Sequence, residues 1–169
     1  MINKLMAAAL MLFGSVGCAT QRSTKDLPAV SNFDAVRYMG KWYEIARLPK
    51  WFERDLKNVT ADYSLKGDSL IVVNRGFRDG EEQVATAVGH FAGARNVGEF
   101  KISFFRPFYG DYRIIWLSPV GDVAMVTSDD RSSLWILSRR EKLSEDEFND
   151  VVRLAARWGF DVTALEVCL

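Results

Sequence analysis

From Lys41 onward the chain breaks into short segments rich in Val, Ile, Phe, Tyr and Trp, each closed by turn residues. This pattern predicts strands near 41–48, 58–65, 70–77, 84–91, 99–105, 111–118, 123–128 and 133–139. The breaks fall at Lys66-Gly67-Asp68, Arg78-Asp79-Gly80, Gly93 to Gly98, Tyr109-Gly110, Ser118 to Gly121 and Ser128-Asp129-Asp130. Most are too short for anything but a hairpin, so neighbouring strands run antiparallel. The period then changes. Phe148, Val151, Val152, Ala155 and Trp158 recur at helical spacing. Ser144 and Glu147 form a capping box ahead of them, and Gly159 stands where a helix stops. Phe160 to Val162 reads as one more short strand.

Eight antiparallel strands without interleaved helices make an all-β sandwich or a closed barrel. A barrel of eight leaves no exposed edge and has room for one small ligand. The longer gap from Pro49 to Lys57 is a candidate lid. Composition adds little: 22 basic and 22 acidic side chains balance, with no basic stripe of the kind that binds nucleic acid. One histidine and two cysteines are few for a metal site, and nothing calls for a cofactor.

The N-terminus follows another logic. Lys4 precedes an unbroken apolar run from Leu5 to Phe13, far shorter than the roughly 20 residues that span a bilayer. Ser15-Val16-Gly17-Cys18 follows and resembles the lipobox of bacterial lipoproteins. That resemblance implies residues 1–17 as a signal peptide, acylation and cleavage at Cys18, and a tether over 18–31. Two or three acyl chains anchor firmly where one does not. Ala19 is not the Asp that marks inner-membrane retention in enterobacterial lipoproteins, which implies the outer membrane and a protein facing the periplasm. With Cys18 acylated, Cys168 has no disulfide partner.

The run Asn32 to Arg47, which contains Gly40-Lys41-Trp42, closely resembles the opening of the lipocalins. The likeness is nearest to the branch of bacterial lipoprotein lipocalins, temperature-induced lipocalins and apolipoprotein D. Leu134 to Arg139 resembles the family's last strand, and the similarity runs from Phe33 to Val162. The family's second signature has no good match; Ser118-Pro119-Val120-Gly121-Asp122 stands in its place. The resemblance implies an eight-stranded up-and-down barrel over 32–169, with one C-terminal helix packed on its outside. It also implies that Trp42 plugs the closed end, that Arg139 packs across it, and that Gly40 lets the chain pass close by.

Setting each strand's alternation by the family pattern puts Glu44, Ala46, Ala61, Tyr63, Ile71, Val73, Phe77, Ala87, Gly89, Phe91, Ile102, Phe104, Tyr112, Ile114, Trp116, Ala124, Val126, Trp135 and Leu137 on the inner face. Such a lining fits an apolar ligand, a fatty acid or lysophospholipid, with plain core packing as the alternative for each residue. Glu44 needs a partner inside the barrel: a ligand head group, Tyr63 or a water. His90 points outward. The apolar stretch Arg106 to Gly110, with Trp51 and Phe52, is a candidate rim, lid or homodimer contact. The expected function is lipid binding in the envelope. A ligand-free structural lipoprotein is the second reading, and a lipid-modifying enzyme the third. The third is weak, because there is no Gly-x-Ser-x-Gly elbow and no second histidine.

Overall fold

The computed structural model describes residues 22–168. Eight strands alternate up and down: β1 (Gly40–Arg47), β2 (Lys57–Lys66), β3 (Ser69–Arg78), β4 (Glu81–Phe91), β5 (Glu99–Phe105), β6 (Phe108–Leu117), β7 (Val123–Thr127) and β8 (Leu134–Ser138). Each pairs antiparallel with the next, and β1 pairs with both β8 and β2. The sheet therefore closes into the expected barrel. Its connections are short because two-residue turns suffice, as at Gly67-Asp68, where Lys66 pairs Ser69. Phe108 and Tyr109, expected in a loop, already belong to β6.

A four-residue helix, α1 (Ala35–Tyr38), is capped by Asp34 and crosses one end of the barrel. The longer helix, α2 (Glu145–Arg157), begins at Ser144 with the predicted capping box. Gly159 follows it at φ +83. The short C-terminal strand lies later than expected: Val162–Ala164 is a 3-10 turn, and β9 (Glu166–Val167) pairs with Ala46 and Arg47 of β1. Residues 162–164 turn because the Asp161 side chain accepts from Thr163 N.

Two apolar clusters share the barrel wall. The inner one contains Phe33, Tyr38, Trp42, Leu70, Val72, Phe100, Ile114 and Leu137. The outer one lies beneath α2 and contains Ile45, Ala46, Ile115, Met125, Ile136, Val151 and Ala155. Strands β7 and β8 serve both, which is why all five residues of β7 are buried.

The stretch expected to be a free tether is docked from Arg22 onward. Ser23 bridges Asp130, and Thr24, fully buried, donates its N–H to Asp129 O. Arg113 donates to the carbonyls of Thr24 and Leu27. Val30 then pairs with Ile114 and Gly98, and Ser31 bridges Val97. Residues 22–31 thus run down the outer wall from one end of the barrel to the other.

The closed end is held by one side chain. Arg139 lies 4.0 Å from the Trp42 ring centre, face to face with the indole. It donates to the carbonyls of Arg37, Tyr38, Met39 and Lys41 at 2.8–2.9 Å. Trp42 Nε1 donates to Tyr38 O as well. The Arg37, Tyr38 and Met39 carbonyls lie at the end of α1, where no intrahelical donor remains, and that of Lys41 lies at the start of β1. Gly40 sits at φ +90 with Arg139 Nη1 3.5 Å from where a Cβ would stand, so its backbone needs the left-handed freedom that glycine has.

Trp42→Ala should cost about 3–5 kcal/mol, as truncating a buried aromatic does. Arg139→Ala should cost less. The double variant should fall short of their sum, because both lose the same contact. Urea titration of the four proteins of the cycle measures this, and strict additivity would mean that the stacking contributes nothing.

Candidate functional site

Above the floor lies a cavity of about 240 Å³ that opens at the end opposite Trp42. Its wall comes from residues of all eight strands. Ala61 and Tyr63 of β2, Ile102 and Phe104 of β5, Tyr112 of β6, Val126 of β7, and Trp135 and Leu137 of β8 face it as expected, and so does Glu44 of β1. Ala87, Phe91 and Ile114 also point inward, but they are packed into the inner cluster beneath the cavity. Gly89 is required there, since a Cβ would stand 2.7 Å from Lys101 O of the adjacent strand. Gly40, Trp42 and Arg139 form the floor. Cys18 lies outside the described residues.

Five residues expected on the inner face do not face the cavity. On β3 the phase is reversed: Val72, Asn74 and Gly76 point in, so Val73 and Phe77 point out, and Ile71 with them. Phe77 is 42% exposed. Register explains the reversal, because directly opposed residues share a face and Val72 opposes inward Tyr63 and inward Ala87. The other two errors are β-bulges. Between Glu44 and Ala46 the pairing with β8 slips, so Ala46 joins Ile45 in the outer cluster. Between Ile114 and Trp116 the pairing with β7 slips likewise, and Trp116 lies in the groove beside α2.

The β1 bulge has a second effect. It turns Arg47 into the barrel, where it is 3% exposed. Its Nη1 donates to Glu44 Oε1 at 2.6 Å. Its Nη2 donates to the carbonyls of Glu53 and Leu56 at 2.7 and 3.2 Å. Those carbonyls belong to the loop between β1 and β2, whose Trp51–Glu53 form a 3-10 turn across the mouth. From the other side Arg78 donates to Phe52 O and Arg54 O. Two guanidinium groups therefore pin the loop read as a lid. Phe52, already a candidate for the mouth, roofs and walls the cavity together with Glu53, Leu56 and Val59, which sequence patterning did not single out.

Polar groups in this space are mostly paired. Tyr112 Oη donates to Tyr63 Oη at 2.9 Å and lies 2.8 Å from Tyr38 Oη. With Tyr112 donating to Tyr63, Tyr38 supplies the other bond, which leaves the Tyr63 hydroxyl hydrogen to offer a partner. Glu44, whose partner the sequence left open, bonds to Arg47 and accepts from the Cys168 thiol at 3.3 Å. Burial raises its pKa against the lowering effect of Arg47. Burial and the neighbouring Glu44 charge push Cys168 upward, so it stays a thiol and not a nucleophilic thiolate. Asn74 Oδ1 is buried and accepts no hydrogen bond.

Glu53 is the most perturbed carboxyl of the mouth. Burial, then the Glu44 charge, push it up to about 8, while Trp135 Nε1 donates to it at 3.2 Å. At neutral pH it is largely a protonated acid. The folded chain holds this proton where the unfolded chain has released it, so Glu53 makes stability fall as pH rises from about 4.5 to about 8. Glu53→Gln should remove that component, and urea midpoints measured across the window should be flatter than wild type.

Comparison with known proteins gives consistent results. A family model described as a lipocalin-like domain matches residues 33–169. The outer membrane lipoprotein Blc of Escherichia coli K12 is 43% identical over 162 residues, covering 94% of this chain and 92% of that protein. Temperature-induced lipocalin-1 of Arabidopsis thaliana is 29% identical and covers 83% of this chain and 81% of its own. Among solved structures, insecticyanin of Manduca sexta superimposes with a TM-score of 0.67 at 19% identity, covering 85% of this chain and 84% of that one.

Proposed function

The chain belongs to the lipocalin-like family, and from that premise we propose that its cavity carries one long-chain fatty acid or lysophospholipid. Its relatives place it in the outer membrane as a lipid-anchored protein. The reading of Cys18 as the acylated residue, with the domain on the periplasmic side, belongs to the same proposal.

The observation that carries the proposal is the cavity itself. It is deep, apolar on most of its wall, closed below by Trp42 and open at one end. Its volume approaches the roughly 300 Å³ at which small-molecule pockets begin. Ala61, Val72, Ala85 and Val126 leave room for a slender chain, and aromatic rings from Tyr63, Tyr112 and Trp135 border it. The polar groups stand near the mouth, as they would to meet a head group: Glu44, Asn74 and Gln83 line that space. The unpaired Asn74 carbonyl oxygen suits a hydroxyl or amine of the ligand.

Affinity should rise about fourfold for each methylene added until the cavity is full, because each buried CH₂ is worth about 0.8 kcal/mol. Val72→Trp and Ala61→Trp should abolish binding, while Val73→Trp, one residue along and facing out, should leave it intact. Titration calorimetry with a series of fatty acids and lysophospholipids on delipidated protein reads all three. Absence of saturable binding would leave the ligand-free structural role in its place.

The anchor is tested separately. Cys18→Ala should abolish labelling by radioactive palmitate and leave the signal uncleaved or miscleaved. Equal labelling of wild type and variant would remove Cys18 from the proposal.

A further inference from the structure

Six aromatic side chains are exposed among the described residues: Trp51, Phe77, Phe104, Phe105, Phe108 and Tyr109. All six stand on loops or strand ends at the open end of the barrel: the β1–β2 loop, the end of β3, and the β5–β6 hairpin. Trp51 is 62% exposed and Phe105 48%. At the closed end, among the described residues, the large exposed apolar side chains are Val36 and Val120. A ring of exposed Phe, Trp and Tyr around a mouth is costly in water, and these are the side chains that settle at a bilayer interface.

A second observation is independent of the first. The domain's first strand begins at the closed end, so a free linker would leave the chain there and hold the mouth away from the membrane. The docked segment 22–31 reverses this. Val30 and Ser31 lie at the closed end, beside Val97 and Gly98, whereas Ser23 and Thr24 lie at the β7–β8 loop of the open end. The docking is strong for so short a piece. Thr24 is fully buried and its Oγ1 donates to Ser128 O. Arg131, itself buried, donates to Ser23 O and to both carboxylate oxygens of Asp26. Cys18 stands five positions before Ser23, a reach of at most about 18 Å. That length tethers an acyl anchor on Cys18 to the open end, where Ser23 is docked.

We propose that the open end of the barrel docks on the lipid bilayer, with the rim aromatics seated among the head groups, so that the cavity opens onto the membrane surface. The orientation rests on the reading of Cys18 as the anchor; the rim chemistry does not. Bilayer lipid then exchanges with the cavity across the interface, without crossing bulk water.

The test uses the full mature lipoprotein, purified from envelopes and reconstituted in phosphatidylethanolamine–phosphatidylglycerol vesicles. A fluorophore is placed at Asp79→Cys, on the open-end β3–β4 turn, or at Asp68→Cys, on the closed-end β2–β3 turn. Lipids carrying a head-group quencher should quench the first at least tenfold more than the second. The triple variant Trp51→Ser, Phe105→Ser, Phe108→Ser should lose that difference while still binding fatty acid, which shows that it folds. Intact mass reports acylation independently. Equal quenching at both ends of acylated protein, or stronger quenching at Asp68→Cys, overturns the docking. Protein found without acyl chains overturns the anchor; if the Asp79→Cys label is still quenched on added vesicles, the rim docks by itself, and if it is not, the docking falls too.

Discussion

The arrangement depends on a cation placed over an indole. Arg139 directly follows β8, stacks on Trp42 of β1 and collects four carbonyls from the stretch of chain that crosses the barrel floor. A guanidinium suits this because it is planar, weakly hydrated and rich in donors, so it can stack and bond at once. Buried carbonyls at a helix end must find donors, and here one side chain satisfies nearly all of them. The contact also ties the first strand to the last. It fixes which end of the barrel is closed, with the inner cluster and then the cavity above it.

What stands above the floor is shaped by two of the breaks in strand pairing, those in β1 and β6. A perfect ladder would alternate in and out without exception. The bulges in β1 and β6 break that rule where α2 covers the wall, and each gives the outer cluster two consecutive apolar residues: Ile45 with Ala46, and Ile115 with Trp116. The barrel thereby gains a packed flank for the helix. The bulge in β1 also carries a charge into the mouth. Arg47 would be a surface residue in a regular strand; instead it pairs with Glu44 and holds the loop over the cavity. A buried ion pair of this kind is weak evidence of stability. Its geometric effect is clearer, since it sets the position of the roof.

Container, roof and anchor then form one sequence of parts. The cavity sets Glu44, Glu53 and Asn74 into a wall that is otherwise mostly apolar and aromatic. Such a wall offers both polar partners and apolar surface. The N-terminal segment runs down the outside of the same barrel, and its hydrogen bonds to β6 and to the β7–β8 loop hold residues 22–31 between the two ends.

Much of this was readable along the chain. Eight strands and the capped helix follow from alternation and capping chemistry, both local signals, and the Trp42–Arg139 floor was what the family resemblance implied. The face of β3 was readable too, though only through pairing. Leu70 to Val73 is apolar on both faces, so alternation alone has no phase there. The two-residue turns at Gly67-Asp68 and Asp79-Gly80 set Val72 against Tyr63 and Ala87, and that settles it. The bulges were not readable, because a bulge is a slip between two strands and neither strand's sequence contains the other. Hence Ala46 and Trp116 were assigned to the wrong side, and Arg47 and Glu53 to none. The docked segment 22–31 had the composition of a linker, and its order comes from Arg113 and Arg131, some 90 to 110 residues away. Sequence determined what repeats locally; tertiary structure decided whatever needed two distant stretches to meet, because only folding brings their hydrogen-bonding groups together.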